Sequence, residues 1–589
     1  MFPPFLIQLY SFILTLQLDQ FLGSRSKSIL LKNINKHFHN IIITANDMFQ
    51  VEEIVFEEEQ INVFDDYKQF KIQEFGHLLR SKLIEKWNIL GQETYIDESE
   101  LIRKTDNAKN IVDSIIGKNL VPSYPLFLLT ILQTIEADIP HNLDQSSYGY
   151  YYHFLIIQAL SKLSIKNDEI DAYYNFLTEL ADHLFKNNTS ELSKDDFINF
   201  HKWYCEEYTI SYSFENLINH KELIECFKKT NIIEENNNSY RFRYKYVYYF
   251  FVAKFMSDNI TDDVIRKRIS EMCKRLYREE FANIIMFLTH HSKDSFVLKE
   301  ILANARMLFS EVQPVEFDKD VSAINDLLVE IPKLVLEDRN VKHARDEKYK
   351  KQDEAELLEK QKSNGNNDIY DLQEDVIELD LISKFNLSFK TIEILGQILK
   401  NYHSSLKGTN KLDLGEEAYF LGLRSIASFF SLLMKSHESM VKEITLLIEK
   451  QKIVEKAKIE DVARLFLFEL CFIVSYSLIK KISGSIGSEK LSETFKKLLK
   501  KHDSTSVQMI DMSIKLDFFK GIPYHDIKKL KRRISGNSLP FTLLKQMVID
   551  YLYMFPTTYK DKQKICDILG ITVKAQRAVD LISTKKKKK

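Results

Sequence analysis

Glycine and proline are both scarce, at 15 and 10 residues in a chain of 589. So few breakers argue against a loop-rich all-β fold and favour long helices. Cysteine is scarce and scattered. Cys205, Cys226, Cys273, Cys471 and Cys566 form no CxxC pair, and none has a histidine at zinc-finger spacing. This argues against a disulfide framework and a zinc finger, and points to reduced thiols in a cytoplasmic protein. The fifteen histidines make no HExxH pattern. On a helix the adjacent His290 and His291 would point their rings about 100° apart, which does not suit a shared metal. An excess of one charge is missing as well. The net charge is −2, without the global basic excess of many nucleic-acid binders.

The first 18 residues, MFPPFLIQLYSFILTLQL, carry no charge and approach the length of a membrane span. Pro3, Pro4, Gln8, Ser11, Thr15 and Gln17 interrupt them, and no basic start or clear cleavage site is present. Buried strands are expected there, and no membrane partner.

What is present organises the chain into an expected series of five parts. Residues 1–75 read as α/β. Apolar runs at 12–16 and 41–44 flank SKSILLKNINKHF, whose Ile29, Leu30, Ile34 and Phe38 share a helical face. That is the βαβ pattern of a parallel sheet. YKQFKIQEF, with Phe70 and Ile72 alternating with polar residues, reads as an edge strand. Residues 76–147 read as a helical lid or arm. In FGHLLRSKLIEKW, Phe75, Leu79, Leu83 and Trp87 recur every four residues and predict the buried face. Residues 148–300 predict helices around one hairpin, with the polar turn EENNNS between two extended pieces, the outline of a winged helix. Tyr246, Tyr249, Phe250 and Ala253 then mark one buried helical face. Residues 301–375 predict a linker, with a solvated helix in EDRNVKHARDEKYKKQDEAELLEKQ and a disordered KSNGNND tract. Residues 376–589 read as an all-helical domain. VARLFLFELCFIVSYSLI, at 462–479, is expected to be a buried helix because Glu469 interrupts it. The fold class is therefore mostly α, with an N-terminal α/β remnant, then winged-helix-like and helical domains.

NIIITANDMF, at 40–49, runs from an apolar strand into Thr44, Asn46 and Asp47, as a strand that serves a phosphate would. A P-loop needs GxxxxGK[ST], so that backbone amides cradle the phosphates and the lysine neutralises them. The only Gly-Lys pair in the sequence is Gly117–Lys118; Asn119 follows it, and Val112 stands in the place of the first glycine. Asp19, after FILTLQL, is a candidate Mg²⁺ ligand without a second acid nearby. No catalytic set is found.

Several of these stretches together resemble the STAND NTPases, signalling ATPases that include NACHT and NB-ARC proteins. NIIITANDMF resembles the sensor strand, with Asn46 at the residue near the γ-phosphate. LVPSYPLFLLTILQ resembles the motif whose proline lies near adenine, with Pro125 the best match and Pro122 the second. YRFRYKYVYYFFVAKF resembles the end of the NACHT winged helix. Phe242 matches there, Tyr244 replaces the family histidine, and Phe250 and Ala253 fit the following helix. FGHLLRSKLIEKW, with Arg80 and Trp87, looks most like the bacterial antiviral group, and IEILGQILKNYHSSLKG and EEAYFLGLRS look similar to helical regions there.

The resemblance implies ATP and Mg²⁺ as cofactors, with Asp19 on the metal and Asn46, Pro125 and Tyr244 on the nucleotide. It implies a C-terminal domain that senses a foreign or phage protein, a homo-oligomer, and a role in antiviral defence. Without the P-loop and an effector, it implies a chain truncated through its NTPase domain and inactive in hydrolysis. Two alternatives need no nucleotide. One is a non-catalytic helical interaction scaffold. The other is a winged helix that binds nucleic acid through Arg241, Arg243 and Lys245, although alternation would place those cations on a solvated face.

Overall fold

The computed structural model describes residues 12–15, 33, 41–44 and 68 and, with interruptions of which 364–379 is the longest, 73–573. The chain divides into two compact units, Met1–Glu74 and Phe75–Lys589. The protein is mostly α, with a small α/β remnant at the N-terminal side.

In the first unit, β1 (Phe12–Thr15) pairs with β2 (Ile41–Thr44) in parallel, Phe12 opposite Ile41 and Thr15 opposite Thr44. A parallel pair needs a crossover between its strands, and Asn33, in that crossover, is helical. The edge strand expected at Phe70 and Ile72 lies outside the described residues, as does the KSNGNND tract from residue 364 onward.

The second unit opens with α1 (His77–Ile89) and α2 (Glu98–Ile116). Asp97 caps α2 by accepting from the Ser99 amide, and Gly117 ends it at φ +57°, a backbone glycine adopts without strain. So the only Gly-Lys pair in the sequence begins with a helix stop. On the face expected to be buried, Phe75, Leu83 and Trp87 pack against the core, but Leu79 does not. Arg80, Ser81 and Ile84 are buried, whereas Leu79 is 47% exposed. The reason is the charged surface that α1 faces, described below.

Next come α3 (Pro125–Glu136), α4 (Ser147–Leu160) and α5 (Ile170–Lys186). Then follow β3 (Leu192–Ser193), α6 (Lys194–Glu207), α7 (His220–Lys229), β4 (Ile233–Asn236), β5 (Ser239–Phe242) and α8 (Lys245–Asp258). A hairpin stands between helices as expected, but its turn is tighter than EENNNS, since residues 234–236 and Ser239 belong to the strands. β3 adds to it, giving an antiparallel sheet in the order β3-β5-β4. The helices α9 (Asp263–Lys274), α10 (Glu279–His291) and α11 (Ser295–Met307) continue the layer, followed by the short α12 (Ser322–Asn325).

After β6 (Val335–Leu336), the long α13 (Val341–Ser363) lies against α1. The remaining helices build a bundle around α14 (Leu381–Asn401), α15 (Gly408–Gln451) and α16 (Ile459–Ile486). The chain closes with α17 (Ser492–Lys501), α18 (Thr505–Phe518), α19 (Tyr524–Arg533), α20 (Ser538–Met554), α21 (Tyr559–Leu569) and β7 (Thr572–Val573), which pairs with β6. Arg424 ties this bundle to α11. Its guanidinium donates to the carbonyls of Ala305 and Leu308 and to Glu417. α16 is long and apolar enough to cross a bilayer, and it is buried along one side only. Leu467, Phe468 and Cys471 are covered, while Phe466 and Ile473 stand more than half exposed.

Candidate functional site

The antiparallel hairpin alternates as its sequence requires. Phe242 points into the core and Arg241 outward. Arg241 meets a carboxylate across the sheet, and Lys194 and Lys228 reach a second one from the flanking helices α6 and α7. Arg241 Nε lies 2.7 Å from Glu234, and Lys194 and Lys228 lie 2.5 and 3.0 Å from Glu235. Lys194, and then Lys228, hold the Glu235 carboxyl below its usual range.

Beyond the hairpin, α8 is buried almost all round rather than on the single expected face. Tyr246, Tyr249, Phe250 and Ala253 are covered, and so are Val247, Tyr248, Phe251 and Val252. Phe250 meets Tyr174 of α5 edge-on at 6.1 Å and Phe287 of α10 at 5.8 Å. The neighbouring histidines of α10 go to different places. His290 lies among Tyr152 and Phe287, whereas His291 is hydrogen-bonded with the Phe250 carbonyl at 3.1 Å. Burial pushes both imidazoles down to about 3, so they are neutral at physiological pH.

The N-terminal end of α8 is the most suggestive place in the second unit. Tyr244 is the N-cap residue, half-buried, with no side-chain cap. No acid stands in the first turn; Lys245 does, and it is exposed. Arg243 sits over the Tyr244 ring at 5.7 Å and donates to Asn231 at 3.1 Å. A helix start with cations around it favours an anion. Phe127 of α3 meets Tyr244 edge-on at 5.7 Å. The exposed Pro125 begins that same helix. Two of the four nucleotide candidates, Pro125 and Tyr244, thus stand on helix starts joined by one aromatic contact. Phe127 was not singled out from the sequence; its position two residues after Pro125, with an aromatic at 244, was the available signal. Asp19 and Asn46, the metal and γ-phosphate candidates, lie outside the described residues.

A second polar cluster surrounds α1. Asp353 of α13 accepts from the backbone amides of His77 and Leu78 and so caps α1. Arg80 pairs with Asp113 at 3.1 Å and with Glu356 at 3.5 Å, while Lys109 bonds Asp113 from one turn away. Burial alone would raise the Asp113 carboxyl, but Lys109, with help from His77 and Arg80, holds it well below the usual range. Buried Arg345 binds Asp106 and donates to the Met554 carbonyl at 3.1 Å. The α13 helix is therefore not solvated all round as expected; its Ala344, Arg345 and Tyr349 are buried. His77, Asp353 and Glu356 offer ligand atoms within 4.8 Å of one another. However, Arg80 and Lys109 occupy the same cluster and balance its carboxylates, which disfavours a cation there.

Residues 190–252, from just before β3 into α8, match the model of a family described as Novel STAND NTPase 4. The match supports a relationship to the STAND NTPases, a class of signalling NTPase, and it ends within the aromatic helix that follows Tyr244. No curated protein and no solved structure matches the chain.

Proposed function

We propose that this chain is part of a STAND-type signalling NTPase of antiviral defence, in which residues 192–258 act as a winged-helix switch that responds to nucleotide. The contact between Phe127 and Tyr244 carries the reading. It brings the start of the proline helix to the start of α8, inside the segment that matches the family model. Adenine is assigned to the Pro125 end and phosphate to the start of α8, where Arg243, Lys245 and the first-turn amides supply positive potential. Tyr244 can donate one hydrogen bond to a phosphate oxygen but, unlike a protonated histidine, brings no charge. The resident ligand would be ATP or ADP with Mg²⁺. Turnover is not expected, because this sequence holds no GxxxxGK[ST] to cradle the phosphates. The C-terminal helices from α14 onward take the sensing role toward a foreign protein, and the working form is a homo-oligomer.

The test is equilibrium binding of a fluorescent ADP analogue to the full chain. Binding at micromolar concentration, weakened about tenfold by Tyr244→Ala or Lys245→Glu, supports the reading (tenfold is about 1.4 kcal/mol). No binding at millimolar nucleotide, or binding indifferent to both substitutions, removes it. ATP hydrolysis abolished by Asp19→Ala would overturn the assignment as a non-hydrolysing chain. The extended bundle from α14 to α21 favours a second reading, a helical scaffold that needs no nucleotide. It gains if partner capture by the full chain is unchanged by Tyr244→Ala. Of the three cations proposed for nucleic acid, Arg241 is engaged by Glu234 and Arg243 by Asn231, which weighs against the hairpin as a nucleic-acid surface.

A further inference from the structure

The basic field that the hairpin lacks is found in the C-terminal bundle. Residues 489–533 hold 12 Lys and Arg against 6 Asp and Glu, in a chain whose totals are 82 against 84. Folding sorts these cations onto two outward faces. In α17, Thr494, Phe495 and Leu498 are buried, and Lys496, Lys497, Lys500 and Lys501 are exposed. In α19, Ile527 and Leu530 are buried. His525, Lys528, Lys529 and Arg532 are exposed, at the i, i+3, i+4 and i+7 positions of one stripe. The two helices meet at Asp503, just past the end of α17. Arg533 holds its carboxylate at 2.6 Å and its carbonyl at 2.7 Å, and Lys529 is close enough to lower the Asp503 carboxyl further.

We propose that the joined stripes of α17 and α19 form a sequence-independent binding surface for the phosphates of a nucleic acid. Some of these cations have work inside the fold. Lys501 pairs with Glu416 at 2.6 Å, and Lys496 with Glu493 at 2.7 Å. Lysines and arginines in the last helical turn also complement the helix dipole, which accounts for Lys500 and Arg532. Neither explanation reaches Lys497, Lys528 or Lys529, which stand before the last turn and have no ion-pair partner among the described residues. The surface chemistry separates the classes of partner. A protein interface centres on apolar and aromatic side chains and is poor in lysine. Residues 489–533 expose no large hydrophobic side chain. A surface rich in Lys and Arg without an apolar centre is that of a nucleic-acid contact, which positions on the backbone and reads no bases.

The full chain is titrated into a fluorescein-labelled duplex DNA of random sequence, and anisotropy is read at two salt concentrations. Contact with about four phosphates weakens binding on the order of a hundredfold between about 50 and about 200 mM salt. Reversing charge in Lys497→Glu, Lys528→Glu, Lys529→Glu and Arg532→Glu together should weaken it at least tenfold more. The same four positions changed to Gln should give an intermediate loss, and Arg241→Glu in the hairpin none. These side chains are exposed, and only Arg532 supports its helix dipole, so the reversed protein should melt only slightly lower; if it does not fold, the Gln protein decides. Absence of salt-dependent binding overturns the proposal. So does binding that survives the substitutions, which would place the contact elsewhere, for example at the Lys585–Lys589 tail. Polyglutamate competing as well as DNA at equal charge would overturn it in favour of an acidic polypeptide.

Discussion

Two helices of the second unit are held in opposite ways. α8 is wrapped in aromatic rings on nearly every side, whereas α13 is held largely by ion pairs and one buried arginine. The first kind of contact is short-ranged, scarcely screened by salt, and strong in proportion to the area it covers. The second is directional, depends on pH and ionic strength, and fails when one partner is lost. The difference teaches that α8 is held by contacts nearly indifferent to salt, while α1 and α2 are fastened to α13 by contacts that solution conditions can loosen.

Substitutions can break that comparison at either end. The largest effect is expected for Phe250→Ala, which removes a fully buried ring from contact with Tyr174, Phe251 and Phe287. Urea unfolding should show a loss of about 3 to 5 kcal/mol, insensitive to added salt. Arg345→Ala comes next, at about 2 to 3 kcal/mol, because Asp106 is left without its partner but keeps some access to water. If Arg345→Ala exceeded Phe250→Ala, the ranking of the two interfaces would be reversed.

Acid should loosen the aromatic side through His290. Its imidazole, held neutral by burial at about 3, has an ordinary value of 6.5 when unfolded. The unfolded chain therefore takes up the proton first. Stability is whole above pH 6.5 and is lost as pH falls from there toward 3. The loss is about 1 kcal/mol over the first pH unit for one such imidazole; His291, also pushed down to about 3 by burial, adds a similar loss, so His290→Gln should roughly halve the slope in thermal melts across pH. The smallest effect is expected for Asp353→Ala, which leaves the amides of His77 and Leu78 uncapped at about 1 kcal/mol. Hydrogen exchange should speed at those two amides while α8 amides stay protected; equal protection at His77 and Leu78 would show that the cap is dispensable.

Much of this was legible along the chain, because helices and hairpins write themselves locally. The spacing of Tyr246, Tyr249, Phe250 and Ala253 predicts α8, and EENNNS marks the hairpin but not the extent of its turn, because residues 234–236 pair in the ladder. The spacing does not reveal that α8 is covered on its other sides, since α5 and α10 are brought there by distant packing. Leu79 misleads for the same reason: its four-residue rhythm is genuine, but α1 turns Arg80 inward to meet Asp113 and Glu356. For the candidate site, Pro125 and Tyr244 were singled out by resemblance, and the fold adds the Phe127 contact between their helices. The alternation of the hairpin correctly put Arg241 outside, but the matching acids needed a register of Glu234 with Arg241 to be seen.

The cap on α1 carries a consequence for synthesis. Gly76 precedes the helix without a side chain, and a Cβ there would lie 2.5 Å from an Asp353 oxygen. The carboxylate that completes the helix start comes from 276 residues further along. At ribosomal speeds of about 5 to 20 residues per second, α1 waits roughly 14 to 55 seconds for its cap. During that interval the nascent helix presents open amides and an Arg80 that can meet Asp113 but not yet Glu356, a window in which a chaperone or a neighbouring nascent chain can claim it.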